Sequence, residues 1–487
     1  TRSELADLAK LVPPASSFVV CFRDANAFVA EVQSLVRAAR PGAEAMVSLE
    51  ALLNQTGLGV RERDLDLTKP IAIAASDDGG VVIVGAESPQ DLADVANAPS
   101  AVSGSFVAFG MSGFEPEVGS ASPIVTDLPT GQVAFRVDFD RLHEKILEAR
   151  AEMQRQLMAF PGPGAEQAFA FYDGLFRRLL RGGLMDGFLE LSKGEMRLAL
   201  AMDMEFDAPQ TDIDAAIALL GKTPVLPHEM SMVFADGMEP FQEAFDMEAL
   251  LQGLPDDTGK LLFEAQKDLY RAMHGPTATR FAFDEHGMRG TMICRPSDVT
   301  AARTAATQYA TKTSDALGIS DVETGHQEVG EVTFDTASFK IDPTALIPDN
   351  GDPMQEDVGR KVMEMMYGDR TRVAIGSTKQ DLLICVGVDD AGLDAVVEAT
   401  TTDRPAPAIA AAREAVTKAK PWLLLHWDLG PLLRLVMSTV AETMPMAFPA
   451  EIAEDASAPL WMAASSAGRV QRFDLGIDVA ATIAMFR

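Results

Sequence analysis

Cysteine is scarce in this chain, because 487 residues include only Cys21, Cys294 and Cys385. Three cysteines cannot build a disulfide framework, and a chain of this length buries enough surface to fold without crosslinks. Each cysteine lies within an apolar, strand-like run: V-V-C-F, T-M-I-C or L-L-I-C. We therefore expect three small buried thiols, with a redox or nucleophilic role as the alternative.

Positive charge is also in short supply. Asp and Glu number 72 against 41 Lys and Arg, which gives a net charge of −31. Such a polyanion repels the phosphates of nucleic acids, so nucleic acid is not an expected partner. The densest basic run contains Arg177, Arg178 and Arg181. Its helical spacing predicts a solvated helix face, with an anion site as the alternative.

Long apolar runs are missing as well. No stretch reaches the ~18 apolar residues of a membrane-spanning helix. The nearest candidate starts at Trp422 and is interrupted by His426, Asp428 and Pro431, which predicts a strand followed by a helix. The chain begins with Thr1 rather than Met. We expect a removed signal peptide and a location in the periplasm or cell envelope.

Histidine is rare, and the familiar catalytic motifs do not occur. The six histidines are His143, His228, His274, His286, His326 and His426. No pair has the i, i+4 spacing of a zinc protease, and G-M-S-G around Ser112 is not a nucleophile elbow. P-loop and dinucleotide fingerprints are absent too. We therefore assign no catalytic, cofactor-binding or metal-ligating residue and expect no cofactor.

Three local groups of polar residues leave alternatives open. Asp284, Glu285 and His286 share a predicted hairpin tip, where a solvated turn is the simpler interpretation. His426 and Asp428 lie on one face of a predicted strand, which favours a His–Asp contact over a catalytic dyad. The acidic stretch 349–357 lacks the spacing of an EF-hand, so we expect a polar turn, with a weak calcium site as the alternative.

Internal repetition is the strongest pattern. Five apolar runs end in an aspartate that precedes a helical pattern, at Asp24, Asp138, Asp236, Asp335 and Asp428. A carboxylate at a strand-to-helix junction accepts hydrogen bonds from free helix amides and complements the helix dipole. We expect these residues to cap helices, with a binding role for one of them as the alternative.

A second element recurs between these aspartates. It consists of a strand, a short polar turn, a strand and a helix start, the pattern of a β-hairpin followed by a helix. The sequence predicts an α+β protein of tandem degenerate β-α-α-β-β-α units, with helices covering one side of mainly antiparallel sheets. The expected units are 1–125 (with an extra β insert), 126–224, 225–325, 326–405 and 406–487.

The opening L-V-P-P-A-S-S-F-V-V-C-F-R-D resembles one found in exported bacterial proteins of planctomycete type. Their pattern is L-P-A-D-(S/T)-x-x-V-V-R-V-x-D followed by an apolar helix. The hairpin K-P-I-A-I-A-A-S-D-D-G-G-V-V-I-V is similar to the one that follows in that family. The family has no assigned activity, so the resemblance implies only an extracytoplasmic location.

Three functions remain as hypotheses. The first is a non-enzymatic structural or envelope-assembly protein that binds a protein partner or itself. The second is a carrier of lipid or another apolar ligand, for which some of the 24 methionines would line a groove. The third is a hydrolase whose site is assembled from several units.

Overall fold

The computed structural model describes most of the chain: residues 2–44, 47–48, 60–159, 173, 183–203, 212–239, 258–284, 287–316, 319–340, 360, 367–368, 370–416, 420–434 and 456–485. Helices and antiparallel strands make up this part, which confirms the α+β class. Two compact units are present. The first comprises Thr1–Ile146, Leu179–Met204 and Arg472–Arg487, and the second comprises Leu147–Arg178 and Glu205–Gln471.

Within the described residues, the α-helices are α1 (Arg2–Ala9), α2 (Ala25–Ala39), α3 (Pro89–Val95), α4 (Pro123–Thr126), α5 (His143–Ala159), α6 (Asp214–Leu220), α7 (Thr258–Ala272), α8 (Val299–Ala316), α9 (Asp390–Thr400), α10 (Pro407–Ala415) and α11 (Val479–Ala484). A short 3-10 turn covers Glu62–Asp64. None of the helices in this part of the chain is long and apolar enough to span a membrane.

The strands are β1 (Phe18–Phe22), β2 (Ile71–Ser76), β3 (Gly79–Gly85), β4 (Ser100–Ser103), β5 (Phe106–Met111), β6 (Val133–Asp138), β7 (Leu184–Ser192), β8 (Glu195–Asp203), β9 (Met230–Phe234), β10 (Thr277–Asp284), β11 (Gly287–Cys294), β12 (Ser320–Val329), β13 (Val332–Lys340), β14 (Thr371–Ser377), β15 (Leu382–Val386), β16 (Lys420–Asp428), β17 (Pro459–Ala467) and β18 (Val470–Asp478).

The sheet of the first unit has its centre at β1. Its strands follow the order β4-β5-β3-β2-β1-β6-β7-β8, and each of these neighbours is antiparallel. Val20 of β1 lies opposite Ile73 of β2 on one side and Phe135 of β6 on the other. The first two predicted repeats therefore meet through their leading strands, β1 and β6.

Both faces of this sheet are covered, so the expectation of helices on one side is wrong. Val81 and Ile83 pack with Leu8 of α1, whereas Val82 and Val84 belong to an opposite core with Leu92 of α3. The physical reason is visible in β3, where the four consecutive residues V-V-I-V are all buried. A strand that is apolar at every position needs a packed layer on each face.

The sheet of the second unit follows the order β12-β13-β14-β15-β11-β10-β9-β16-β17, again with antiparallel neighbours. Here too the leading strands of two predicted repeats, the third and the fifth, pair with each other: β9 pairs with β16, which lies next to the end strand β17. α7 and α8 contribute to one core, in which Leu269 and Ala306 contact Cys294, Ile375 and Leu382.

Aspartates cap several helices, and the capping prediction is confirmed for Asp24. Asp24 accepts a hydrogen bond from the Ala27 amide at 2.9 Å at the start of α2. Asp298 and Asp389 each follow a cysteine by four residues. They accept bonds from Ala301 N at 2.9 Å and Gly392 N at 2.8 Å, at the starts of α8 and α9. Such caps stabilise a helix by about 1 kcal/mol each.

The five strand-end aspartates do not share one role. Asp138 ends β6 and accepts a bond from Arg141 N at 3.2 Å, just before α5. Asp236 follows β9, with His274 Nδ1 at 3.4 Å from Oδ1. The prediction for Asp335 is wrong, because this residue lies inside β13 and pairs with Arg303 and His326. The residues T-A-S-F that follow it continue the strand.

All three cysteines are free and buried, as predicted. Cys21 lies at the centre of β1, while Cys294 and Cys385 lie on neighbouring strands β11 and β15. Burial raises the pKa of Cys21 to about 11 and the pKa values of Cys294 and Cys385 to about 12. Because the thiolate is the reactive form, these thiols are protected both sterically and electrostatically.

We therefore predict that an aromatic disulfide reagent at about pH 8 modifies the native protein only slowly, because little thiolate is present and reagent access is blocked. In denaturant, titration should give three equivalents for the three cysteines. Rapid modification of the native protein would contradict the burial. Fewer than three equivalents in denaturant, restored by a reductant, would reveal a disulfide.

Candidate functional site

A row of polar side chains crosses the second unit's sheet. Ser231 of β9 lies opposite Arg280 of β10 and His426 of β16, and His426 in turn lies opposite Trp461 of β17. Directly opposed residues of an antiparallel sheet share a face. The four side chains therefore project to the same side, and Arg280 and Ser231 are only 2% and 1% exposed. We call this set the polar row.

Arg280 is held by three groups from the segment that precedes β9. Its Nε donates to Thr223 Oγ1 at 2.7 Å, and its terminal nitrogens donate to the Leu220 carbonyl oxygen at 3.3 Å and to Glu229. The planar fork of a guanidinium suits several acceptors at fixed angles. Arg280 thus ties the end of α6 and the following loop to the sheet.

Glu229 completes this arrangement from the residue before β9. One of its carboxylate oxygens accepts bonds from Ser231 Oγ at 2.8 Å and from Arg280, and the other accepts the Leu226 amide at 2.9 Å. A buried charge is tolerated when it is paired and fully hydrogen-bonded. Arg280 and Glu229 satisfy each other in this way.

His426 is the exception within the polar row. Its Nδ1 is buried and has no hydrogen-bond partner among the described residues. Burial lowers the pKa of His426 below its ordinary value, and this effect outweighs the nearby carboxylates of Asp428 and Glu229, which act in the opposite direction. His426 is therefore a neutral imidazole at pH 7, with one ring nitrogen unused by the described part of the chain.

Asp428, two residues further along β16, fixes the loop that leads into β17. Its Oδ1 accepts the amides of Gly430 at 3.1 Å and Ala458 at 2.9 Å. Its Oδ2 accepts Ser457 Oγ at 2.9 Å and lies 3.2 Å from His228 Nδ1. Burial raises the pKa of Asp428, but these hydrogen bonds outweigh it and hold the pKa below its ordinary value.

The predicted His426–Asp428 contact is therefore wrong, because the hydrogen-bonding histidine is His228. It comes from a loop 200 residues earlier, where its φ is +52°. Ser457 and His228 both approach the same oxygen of Asp428. A serine–histidine–aspartate relay needs the hydroxyl on the imidazole instead. This arrangement anchors a loop and does not activate the serine.

In the first unit, an ion pair joins the neighbouring strands β6 and β7. Arg136 of β6 binds Asp186 on β7 through two nitrogens, one of them at 2.8 Å, and also donates to the carbonyls of Pro123 and Asp127. In the same unit Asp474, with 0% exposure, accepts bonds from Arg472 at 2.7 Å and from Arg197 at 3.0 Å. Both arginines lie over the ring of Phe188 at 5.7 Å.

The remaining sequence candidates are only partly described. Asp284 ends β10 opposite Gly287, so this hairpin tip lies where predicted, while Glu285 and His286 lie outside the described residues. Ser112 sits in a turn after β5. Three further candidates also lie outside the described residues: the arginines 177, 178 and 181, the stretch 349–357, and the methionine-rich stretches 362–366 and 436–446. In the described part, no three His, Cys, Asp or Glu side chains are grouped for a metal.

Sequence reasoning missed Thr223, Glu229, Ser231 and Arg280. A signal was available, because an arginine inside the alternating run T-R-F-A-F and a serine inside M-S-M-V-F interrupt otherwise apolar strands. A polar residue at such a position is rarely buried without a partner. The identity of that partner depended on the strand register and could not be read from the chain.

In comparisons with known proteins, no protein-family model, curated protein or solved structure matches the chain.

We predict that Arg280→Met lowers the free energy of unfolding by about 3 kcal/mol, because it leaves the Glu229 carboxylate, which is only 15% exposed, without its charge partner. The decrease is measured as a shift of the urea midpoint. Arg413→Met removes the exposed pair with Asp214 in the same unit and should cost less than about 1 kcal/mol.

The double variant Arg280→Met/Glu229→Leu should recover much of the loss, because no unpaired charge remains. Equal effects of Arg280→Met and Arg413→Met would contradict the role of the buried pair.

We also predict a pH effect from His426. Because its pKa in the folded protein lies below the ordinary 6.5, the unfolded chain binds this proton more readily. The free energy of unfolding should therefore fall as the pH drops from about 7.5 to about 5.5. The urea midpoints at the two pH values should differ less in His426→Asn than in the wild type. The control variant His143→Asn, at an exposed helix start, should show the same difference between midpoints as the wild type. Identical pH dependence in all three proteins would contradict a buried neutral imidazole.

Proposed function

We propose that the protein is a non-enzymatic structural or envelope-assembly protein that works outside the cytoplasm and binds a protein partner. The observation that carries this proposal is the use of the chain's polar strand residues. Four polar strand residues form their hydrogen bonds with other parts of the same unit: Arg136, Arg280, Asp428 and Asp474. Such networks rigidify a scaffold and fix its register.

The pairings β1–β6 and β9–β16 support an origin from tandem degenerate units. In β1–β6, Val19 lies opposite Arg136, five residues before Asp24 and two before Asp138. In β9–β16, Ser231 lies opposite His426, again five residues before Asp236 and two before Asp428. Equal registers with unlike side chains are expected when strand packing, and not a shared reaction, is what the units have in common.

The location outside the cytoplasm rests on the opening motif and its resemblance to exported bacterial proteins. The net charge of −31 supports a role in which electrostatics selects the partner. Opposite charge accelerates and orients encounters, and salt weakens them.

Cell fractionation followed by crosslinking pull-down tests this proposal. We expect the chain in the extracytoplasmic fraction and a defined protein partner that is retained at about 0.1 M salt and lost at about 0.5 M, because screening shortens the reach of surface charges. A cytoplasmic location, or capture that does not depend on salt, would contradict the proposal.

A hydrolase remains a second candidate because of one observation: the Nδ1 of His426, near Glu229 and Asp428, has no hydrogen-bond partner within the described part of the chain, and the pKa of this imidazole is lowered. A neutral imidazole can act as a general base. A panel of ester, amide and glycoside substrates tests this alternative. Turnover that is lost in His426→Asn and retained in His143→Asn would favour the hydrolase and overturn the non-enzymatic proposal.

A further inference from the structure

β12 is an end strand of the second unit's sheet, and within the described residues one of its two edges is unpaired. It pairs with β13, and no other strand in the described ranges pairs with it. The residues from Ser320 to His326 are all exposed, and so is Glu328. The backbone edge is therefore accessible together with the side chains of both faces, which is the arrangement required for adding a further strand.

The turn that follows β12 determines which backbone groups point outward. Gly330 and Glu331 form a two-residue turn between Val329 and Val332, and Gly330 has φ +61°, as the first position of a tight hairpin turn requires. Pairs along an antiparallel ladder alternate between bonded and non-bonded, starting with a bonded pair at such a turn. Three residues therefore direct N–H and C=O groups away from β13: Thr324, His326 and Glu328.

The usable length of this edge is bounded at both ends. The ladder with β13 is irregular between Ser320 and Glu323. At the other end, Val397 of α9 approaches Gly330, with its Cγ1 3.7 Å from the position that a Cβ would take. The stretch from Glu323 to Glu328 remains, which corresponds to about 20 Å of extended chain.

The charges along β12 determine which kind of strand can pair with it. β12 carries Asp321, Glu323 and Glu328 and no lysine or arginine. Arg370 pairs with Glu323 at 3.1 Å, and Lys340 lies 4.0 Å from Asp321. Arg372 donates to Gln327 at 2.6 Å but forms its ion pair with Asp390, so among the described residues Glu328 has no cationic partner. A second copy of this chain would bring the same carboxylates to the contact, in a protein of net charge −31. Like charges placed opposite each other across a strand pair are destabilising.

We infer that β12 binds an extended, lysine- or arginine-bearing segment of a partner protein as an additional strand. Main-chain bonds to Thr324, His326 and Glu328 supply the affinity, and the carboxylates select a basic segment. This inference rests on the proposed function, since it names the surface and the chemistry of the partner. The same charges discourage pairing with apolar strands, which is how exposed edges commonly avoid aggregation.

The test uses the full chain and a fluorescein-labelled peptide, Lys-Val-Lys-Thr-Lys-Val-Lys-Thr, followed by fluorescence anisotropy. Thr324→Pro removes one outward donor and leaves the bonds to β13 intact, so it should weaken binding about tenfold, whereas Thr324→Ala should not. Glu328→Lys should weaken binding more than Glu264→Lys, the same change on the exposed surface of α7. Urea midpoints equal to that of the wild type verify that each variant is folded.

Amide hydrogen exchange provides a second readout. With the peptide bound, the amides of Thr324, His326 and Glu328 should gain protection, while those of Gly325 and Gln327, already bonded to β13, should change little. Binding that is unaffected by Thr324→Pro, or protection spread evenly over the acidic surface, would overturn the inference. Sedimentation that shows a dimer lost in Thr324→Pro would also overturn it, in favour of a second copy.

The outcomes separate this inference from the proposed function. If Thr324→Pro still captures the cellular partner and the peptide binds elsewhere, the β12 inference fails while the non-enzymatic function stands. If His426-dependent turnover is found, the proposed function fails whatever the peptide shows.

Discussion

The antiparallel pairing of strands from distant parts of the sequence is the interaction on which each unit depends. β1 joins β6 across more than a hundred residues of sequence, and β9 joins β16 across nearly twice that distance. Closing such loops costs chain entropy before any contact repays it. Both pairings bring apolar residues opposite each other in the middle of a strand, where Val20 meets Phe135 and Met232 meets Leu425. The neighbouring hairpins extend each sheet from these pairs.

Once these strands are paired, three buried or partly buried charges in the described part of the chain are neutralised by opposite charges close by. Arg280 pairs with Glu229, Arg136 pairs with Asp186, and Asp474 pairs with two arginines. A buried ion pair adds little net stability compared with apolar residues, but breaking it is costly. These pairs therefore penalise other registers of the same strands more than they stabilise the native one, which suits a protein whose strands resemble one another.

Local features of the fold could be predicted from the sequence, and contacts between distant segments could not. The hairpin from Thr277 to Cys294 and the cap at Asp24 depend on neighbouring residues, so turn and cap chemistry was enough. The prediction that a strand ends at Asp335 was wrong because V-T-F-D resembles the other strand ends, whereas here the strand continues to Lys340. Glu229 and Arg280 are 51 residues apart, and His228 and Asp428 are 200 apart. Their contacts depend on strand order and loop path, which periodicity does not encode.

The first unit is built from segments that are far apart in the sequence, which has a consequence for protein synthesis. Its last segment, Arg472–Arg487, follows the whole second unit in the sequence, and it supplies Asp474 for Arg197 and α11 for contact with α2. A ribosome delivers these residues only after the whole second unit has been made, tens of seconds after β1 at typical elongation rates. Until then Asp474 and α11 are missing, and the first unit is incomplete. A chain terminated within the second unit would therefore leave the first unit unfinished as well, so the order of synthesis couples the folding of one unit to the completion of the other.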